Sequence, residues 1–382
     1  MLKIVRLCLM LLLSLSLLPG LLVAQCTSSC TFGVNAGAQY VICVPTPSGC
    51  YNGNVVMYAH GYVPVGAPPD TWQSQLFLPD GTYLPTLVNN LGFGFAASGY
   101  SKDGLAILQG IQDTLDLIPL YKKNYPANRL FITGASEGGL VATKSVESFP
   151  GTYSGGLAVS GPIGDFRKQI NYFGDVRVLF DYFFPGILVT GTSGESAINI
   201  APALMLNWSS VYEPKVRKAI RANFWATFQL ISTAKIPIGL NFNNAEDAIV
   251  DALWYNVFAT DDARATLAGN PYDNIGKVYN GSFNDGKLNG SVARFAADPT
   301  ALANLVSYET TGLLGVPLVT LHNTADPVTP FWHETLYAAK ARATGSSSEL
   351  AEIPVLRFGH VQVTAKEVTS AFLLMLLKAG LQ

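Results

Sequence analysis

Charge is what this chain has little of. Only 13% of its 382 residues are charged, and 24 basic residues face 26 acidic ones. No run of Lys and Arg occurs, which argues against nucleic acid as the main partner, since phosphate recognition needs a concentrated basic surface. Histidine is scarcer still: His60, His322, His333 and His360 are the whole set, so chemistry that needs an imidazole has four candidates. No C-x-x-C pair is present, which makes a thiolate zinc site the lesser of two readings for the chain's clustered cysteines. There is no internal repeat and no low-complexity tract, which leaves out solenoids and tandem arrays. What remains is a chain that is 49% hydrophobic, long enough for one large domain with insertions or for two domains.

The first residues read as an export signal. Lys3 and Arg6 precede the apolar run Leu7–Leu18, Pro19-Gly20 closes it, and Ala24 offers a cleavage point. Removal of residues 1–24 leaves a net charge of 22 − 26 = −4, and the protein is expected to be secreted or periplasmic. Cys8 lies in that signal, so Cys26, Cys30, Cys43 and Cys50 cluster at the new N-terminus. Four thiols so close together are expected to form two disulfides in an oxidising compartment, with three connectivities open. Residues 25–52 are thus read as a disulfide-linked segment fastened to the body, without a catalytic task.

From residue 53 the pattern becomes regular. Asn54–Ala59 is a short apolar run of the kind buried parallel strands show. Phe93–Ser98 is another, and Gly104–Asn124 is a helix candidate with Leu105, Leu108, Ile111, Leu115 and Ile118 at spacings of three and four. Leu130–Thr133 is again strand-like, followed by a helix to about Ser148 and a strand over Gly156–Ser160. Alternating strands and helices predict a mostly parallel sheet with helices on both faces. Residues 165–310 differ: they are aromatic-rich without strand alternation and read as a mainly helical insertion, with Tyr279–Val292 as an exposed loop. The core pattern resumes with strands at Val316–Leu321 and Ile353–Phe358 and closes with a helix, Lys366–Lys378.

The most informative stretch is Gly134-Ala-Ser-Glu-Gly138, set between the third of those strands and its helix. Glycines on both sides of Ser136 suit a turn so sharp that a flanking Cβ would clash, and such a turn lifts a serine hydroxyl to the edge of a sheet. A serine alcohol is a poor nucleophile at neutral pH and needs a base that is itself oriented by a carboxylate. His360, just after a strand and preceded by Gly359, is the preferred base; His60, His322 and His333 are read as structural. Asp326, in the turn after the penultimate strand, is the preferred acid, and Asp165 is the rival. The backbone N–H of Glu137 and that of Tyr62 or Gly61, after the first parallel strand, are the candidates to bind an oxyanion.

These residues carry a resemblance. Residues 53–164 and 311–382 look like an α/β-hydrolase, through His60-Gly61, the Gly134–Gly138 turn, His322-Asn-Thr-Ala-Asp-Pro327 and Gly359-His360, and the order Ser136, Asp326, His360 is that of the superfamily. They are similar to secreted bacterial serine esterases and prolyl-oligopeptidase-like hydrolases. The chain departs from true prolyl oligopeptidases in having no N-terminal propeller repeat, and the insertion 165–310 looks instead like an esterase or lipase cap. The resemblance implies a carboxylic-ester hydrolase, with a serine peptidase as the alternative. Neither calls for a cofactor or metal. The aromatic cap points to an apolar or aromatic ester, small or polymeric, as the partner, with no nucleic acid and no stable membrane partner.

Overall fold

Five consecutive side chains, Val55-Val-Met-Tyr-Ala59, are all buried in β3 (Val55–Ala59). A strand covered on both faces requires that, because alternate residues point to opposite sides. Val55, Met57 and Ala59 join one apolar cluster, while Val56 and Tyr58 join another. A computed structural model describes residues 26–189 and 197–381 of the chain. The expected export segment, 1–24, lies outside them.

In chain order the sheet begins with a hairpin, β1 (Thr27–Asn35) and β2 (Ala38–Thr46). After β3 come α1 (Leu84–Asn90), β4 (Gly94–Ser98), α2 (Ile107–Asn124), β5 (Leu130–Ala135), α3 (Glu137–Ser148) and β6 (Gly155–Val159). Helices α4 (Phe166–Phe183), α5 (Pro202–Leu206), α6 (Glu213–Ala222), α7 (Phe224–Ala234), α8 (Ala245–Leu267), α9 (Asp285–Ser291) and α10 (Pro299–Leu305) separate β6 from β7 (Leu318–Ala325). The chain ends with α11 (Trp332–Ala343), β8 (Leu350–Phe358) and α12 (Ala365–Lys378). The sheet order is β1-β2-β4-β3-β5-β6-β7-β8. β1–β2 and β2–β4 pair antiparallel, and every other neighbouring pair is parallel. Eight strands in that order, with a sharp strand–turn–helix at β5–α3, make an α/β-hydrolase fold.

Helices cover both faces. Leu117 and Tyr121 of α2 and Leu140 and Val146 of α3 pack with Val55 and Met57. On the other side, Leu84 and Val88 of α1 and Phe372 and Met375 of α12 pack with Val56, Phe95 and Phe131. The residues between β6 and β7 build a third apolar cluster of their own, centred on Phe180, Trp208, Leu230 and Leu253. Among the described residues no helix is long and apolar enough to cross a membrane.

Three sequence expectations need correction. The cysteine segment is no mere fastening: it supplies β1 and β2, with Cys30 directly opposite Cys43 and bonded to it, and Cys26 bonded to Cys50. The stretch read as an exposed loop contains α9, and Tyr279, Leu288 and Val292 are buried there. Finally, the penultimate strand runs over Leu318–Ala325 rather than ending at Leu321, so His322 sits within it, fully buried.

Candidate active site

Ser136 links β5 to α3 with φ 57° and ψ −124°, a region that L-residues rarely enter and that costs about 1–3 kcal/mol. Neighbouring structure enforces it. The Ser136 N–H donates to the Val159 carbonyl at 2.8 Å. A Cβ on Gly134 would lie 2.0 Å from the Gly138 carbonyl oxygen, and one on Gly138 would lie 2.0 Å from that of Ala59. No side chain fits at either position, which is why glycines flank the serine.

The hydroxyl so presented meets a chain of polar groups. Ser136 Oγ is 2.7 Å from His360 Nε2, and His360 Nδ1 is 2.8 Å from Asp326 Oδ2. Asp326 follows β7 and is completely buried. Its Oδ1 accepts the N–H groups of Val328 and Thr329, both at 2.9 Å, which leaves Oδ2 aimed at the imidazole. With Nδ1–H donating to that carboxylate, Nε2 is the lone-pair nitrogen facing the serine. Asp165 lies elsewhere: it caps α4 and accepts from the Lys168 N–H at 2.7 Å.

The other histidines have closer partners of their own, although His322 Nε2 also stands 3.8 Å from Asp326 Oδ2. His60 is buried, stacks on Tyr100 at 3.9 Å and contacts the Gly61 carbonyl at 2.7 Å. Burial pulls its pKa down to about 4 against those carbonyl contacts, so it stays neutral. His322 lies between Glu334 Oε1 and the Thr329 carbonyl, each at 2.7 Å. His333 accepts from Gly164 N–H and bonds Gln169, and burial holds it well below the usual histidine value.

For an oxyanion, the geometry corrects one nominated donor. The Gly61 N–H is already committed to Gln75 Oε1 at 2.6 Å. The Tyr62 N–H has no acceptor within the chain among the described residues, and the Glu137 N–H opens a helix, where no intrahelical acceptor exists. These two are the available pair. Gln75, which no sequence signal marked, clamps this loop: its Nε2 also reaches the Tyr62 carbonyl at 3.2 Å. A Cβ on Gly61 would sit 3.1 Å from that of Ser136, so the loop passes tight against the nucleophile. Replacement Gln75→Ala is expected to lower kcat about tenfold with KM nearly unchanged, short of the ~10²–10³ that losing a donor outright costs. Steady-state kinetics check this, and a change confined to KM would assign Gln75 to ground-state binding.

Three further groups around the Ser136–His360 pair escaped the sequence reading. Tyr255 of α8 is in the lining around Ser136, and its ring stands edge-on to His360 at 6.4 Å. Asp251, one turn earlier, is pushed up to about 6 by burial, with His360 opposing. The Glu137 side chain, left without a task by the sequence, accepts the Ala106 N–H at 2.8 Å. Burial raises it to about 8, with that N–H opposing and Asp262 adding to the rise. Their only sequence signal was position: next to the nucleophile for Glu137, and on an aromatic helix for the others.

No family model matches this chain, and no curated protein matches it. Solved structures do. The chain is similar to an acylaminoacyl peptidase from Pyrococcus horikoshii (12% identity, TM-score 0.45), with 93% of this chain and 42% of that one aligned. It is also similar to an esterase from Pyrococcus furiosus (11%, TM-score 0.46, covering 92% and 90%). A third is the rice cell wall degrading esterase LipA from Xanthomonas oryzae (14%, TM-score 0.44, covering 96% and 91%). The chain thus spans about two fifths of the length of the peptidase. The strand order and the β5–α3 turn, not these likenesses, identify the fold.

Proposed function

We propose that this protein is a serine hydrolase that cleaves carboxylic esters through an acyl-enzyme on Ser136. One observation carries the reading: an unbroken run of contacts, Ser136 Oγ to His360 to Asp326, at a strained strand–helix turn. In this mechanism His360 Nε2 takes the serine proton as Oγ attacks the ester carbonyl. Asp326 fixes the imidazole tautomer and stabilises the imidazolium that forms. The N–H groups of Tyr62 and Glu137 bind the oxyanion. His360 then returns the proton to the leaving alcohol, and a water activated by the same nitrogen releases the acid.

The helices between β6 and β7 are the proposed cap, because α8 brings Tyr255 over Ser136 and His360. Export is part of the same proposal, supported by two disulfides of the kind that persist in oxidising compartments. The test is turnover of nitrophenyl esters beside aminoacyl nitroanilides, with Ser136→Ala as control. Esters are expected to be cleaved and the control to be inactive. Ester turnover that survives in the control sinks the mechanism, and anilides cleaved faster than esters would identify a peptidase.

A further inference from the structure

A cavity of about 460 Å³ opens at Ser136 and His360, within the usual size of small-molecule sites. It lies away from the cap, from which, among the described residues, Tyr255 alone contributes to its wall. It runs instead between the sheet and two helices of the core. Val56, Tyr58, Phe95, Leu157 and Val159 form its floor. Leu84 and Val88 of α1 and Val368 and Phe372 of α12 form its roof. The floor residues share one face of the sheet because they alternate along β3 and β6. Val56 pairs with Phe131 on β5, five residues before Ser136. At ~3.3 Å per residue the lining therefore extends roughly 15 Å down the strands from the nucleophile.

Among the described residues no Asp, Glu, Lys or Arg lines this space, so a charged group entering it would lose its hydration without a partner. An ammonium or a carboxylate is thereby disfavoured, and so is a polar sugar, which would leave most of its hydroxyls unpaired. An apolar chain meets no such cost. Resting on the esterase reading above, we infer that the cavity receives an unbranched, uncharged aliphatic chain of the ester substrate. Selectivity then originates in α1 and α12 rather than in the aromatic cap from which it was expected. The chain can belong to the acyl or to the alcohol side, since His360 and Ser136 both stand at the mouth.

Two ester series on the full exported chain test this: nitrophenyl esters from acetyl to lauroyl, and acetate esters of alcohols from methyl to decyl. In one series kcat/KM is expected to climb about fourfold per methylene, the ratio equivalent to ~0.8 kcal/mol per buried CH₂, and to level off where the chain outgrows the cavity. The series that climbs assigns the side. In Val88→Trp, whose indole would fill the middle of the cavity, the octyl-to-acetyl (or octyl-to-methyl) ratio is expected to fall at least tenfold. Should that variant fail to fold, inhibition of the wild-type protein by alkylboronic acids from methyl to octyl reads the same cavity, with Ki falling along the series. Flat profiles in both ester series, with short esters still cleaved through Ser136, overturn the inference and leave the esterase reading intact. If no ester is cleaved and a fluorophosphonate does not label Ser136, the esterase reading falls, and this inference with it.

Discussion

Ser136→Ala and His360→Ala are each expected to lower kcat for ester hydrolysis by roughly 10⁴–10⁶, and the double variant by no more than the worse single one. The reason is geometric. With Oγ 2.7 Å from Nε2, proton removal and attack are one event, and losing either partner removes the whole of it. Asp326→Asn is expected to cost about 10⁴, because an amide on the Nδ1 side no longer selects the tautomer that leaves Nε2 free. The two N–H groups held by Asp326 Oδ1 can be retained by the asparagine carbonyl, so the loss would be chemical rather than structural. Asp165→Asn should leave turnover within about twofold, since that side chain caps α4 and does not meet His360. Steady-state kinetics of the five variants decide the matter: additive losses in the double variant would mean that serine and histidine act separately. Equal losses for the two aspartate variants would point to a general effect on folding.

Those side chains could be read from the sequence because each sits where strand and turn chemistry is local. The turn needs glycines at 134 and 138 for space, Asp326 follows a buried apolar strand, and His360 follows Gly359 at the end of another. The parallel strands β3 to β6 were equally plain, each a short apolar run, whereas β7 and β8 extend through polar residues beyond the runs that marked them. What stayed hidden depends on contacts far apart in sequence. β1 is mostly Ser, Thr and Gly, with one face exposed, and shows as a strand only once Cys30 is paired with Cys43. Gln75 gains its task from the Gly61 loop fourteen residues earlier in the chain. The cavity beneath Ser136 is a space between β3, α1 and α12, and no periodicity in any one of them announces a gap between all three.

Glu137→Gln is expected to make the protein more stable than wild type at pH 8 while leaving the two similar near pH 5. The wild-type carboxyl, adjacent to the nucleophile, is raised to about 8 chiefly by burial. In the unfolded chain it should titrate near the ordinary value of ~4.3. Between those values the folded protein holds one proton more than the unfolded one. Its contribution to stability is therefore complete at low pH and is lost as pH rises from the unfolded toward the folded value. The loss by pH 8 is on the order of 4–5 kcal/mol, of which about 1 kcal/mol is already lost at pH 5. Glutamine cannot ionise, yet its carbonyl can still accept the Ala106 N–H that ties the start of α3 to the start of α2. Urea denaturation of both proteins at pH 5, 6.5 and 8 gives the difference directly, with other titrating groups cancelling between them. Parallel stability curves would mean that Glu137 is ionised or solvated in the folded state. Because the same residue supplies a proposed oxyanion N–H, the variant should keep wild-type turnover at pH 6.5. At pH 8 it should outlast the wild type on prolonged incubation, since a buried carboxylate forming beside Ser136 loosens the turn that presents the nucleophile.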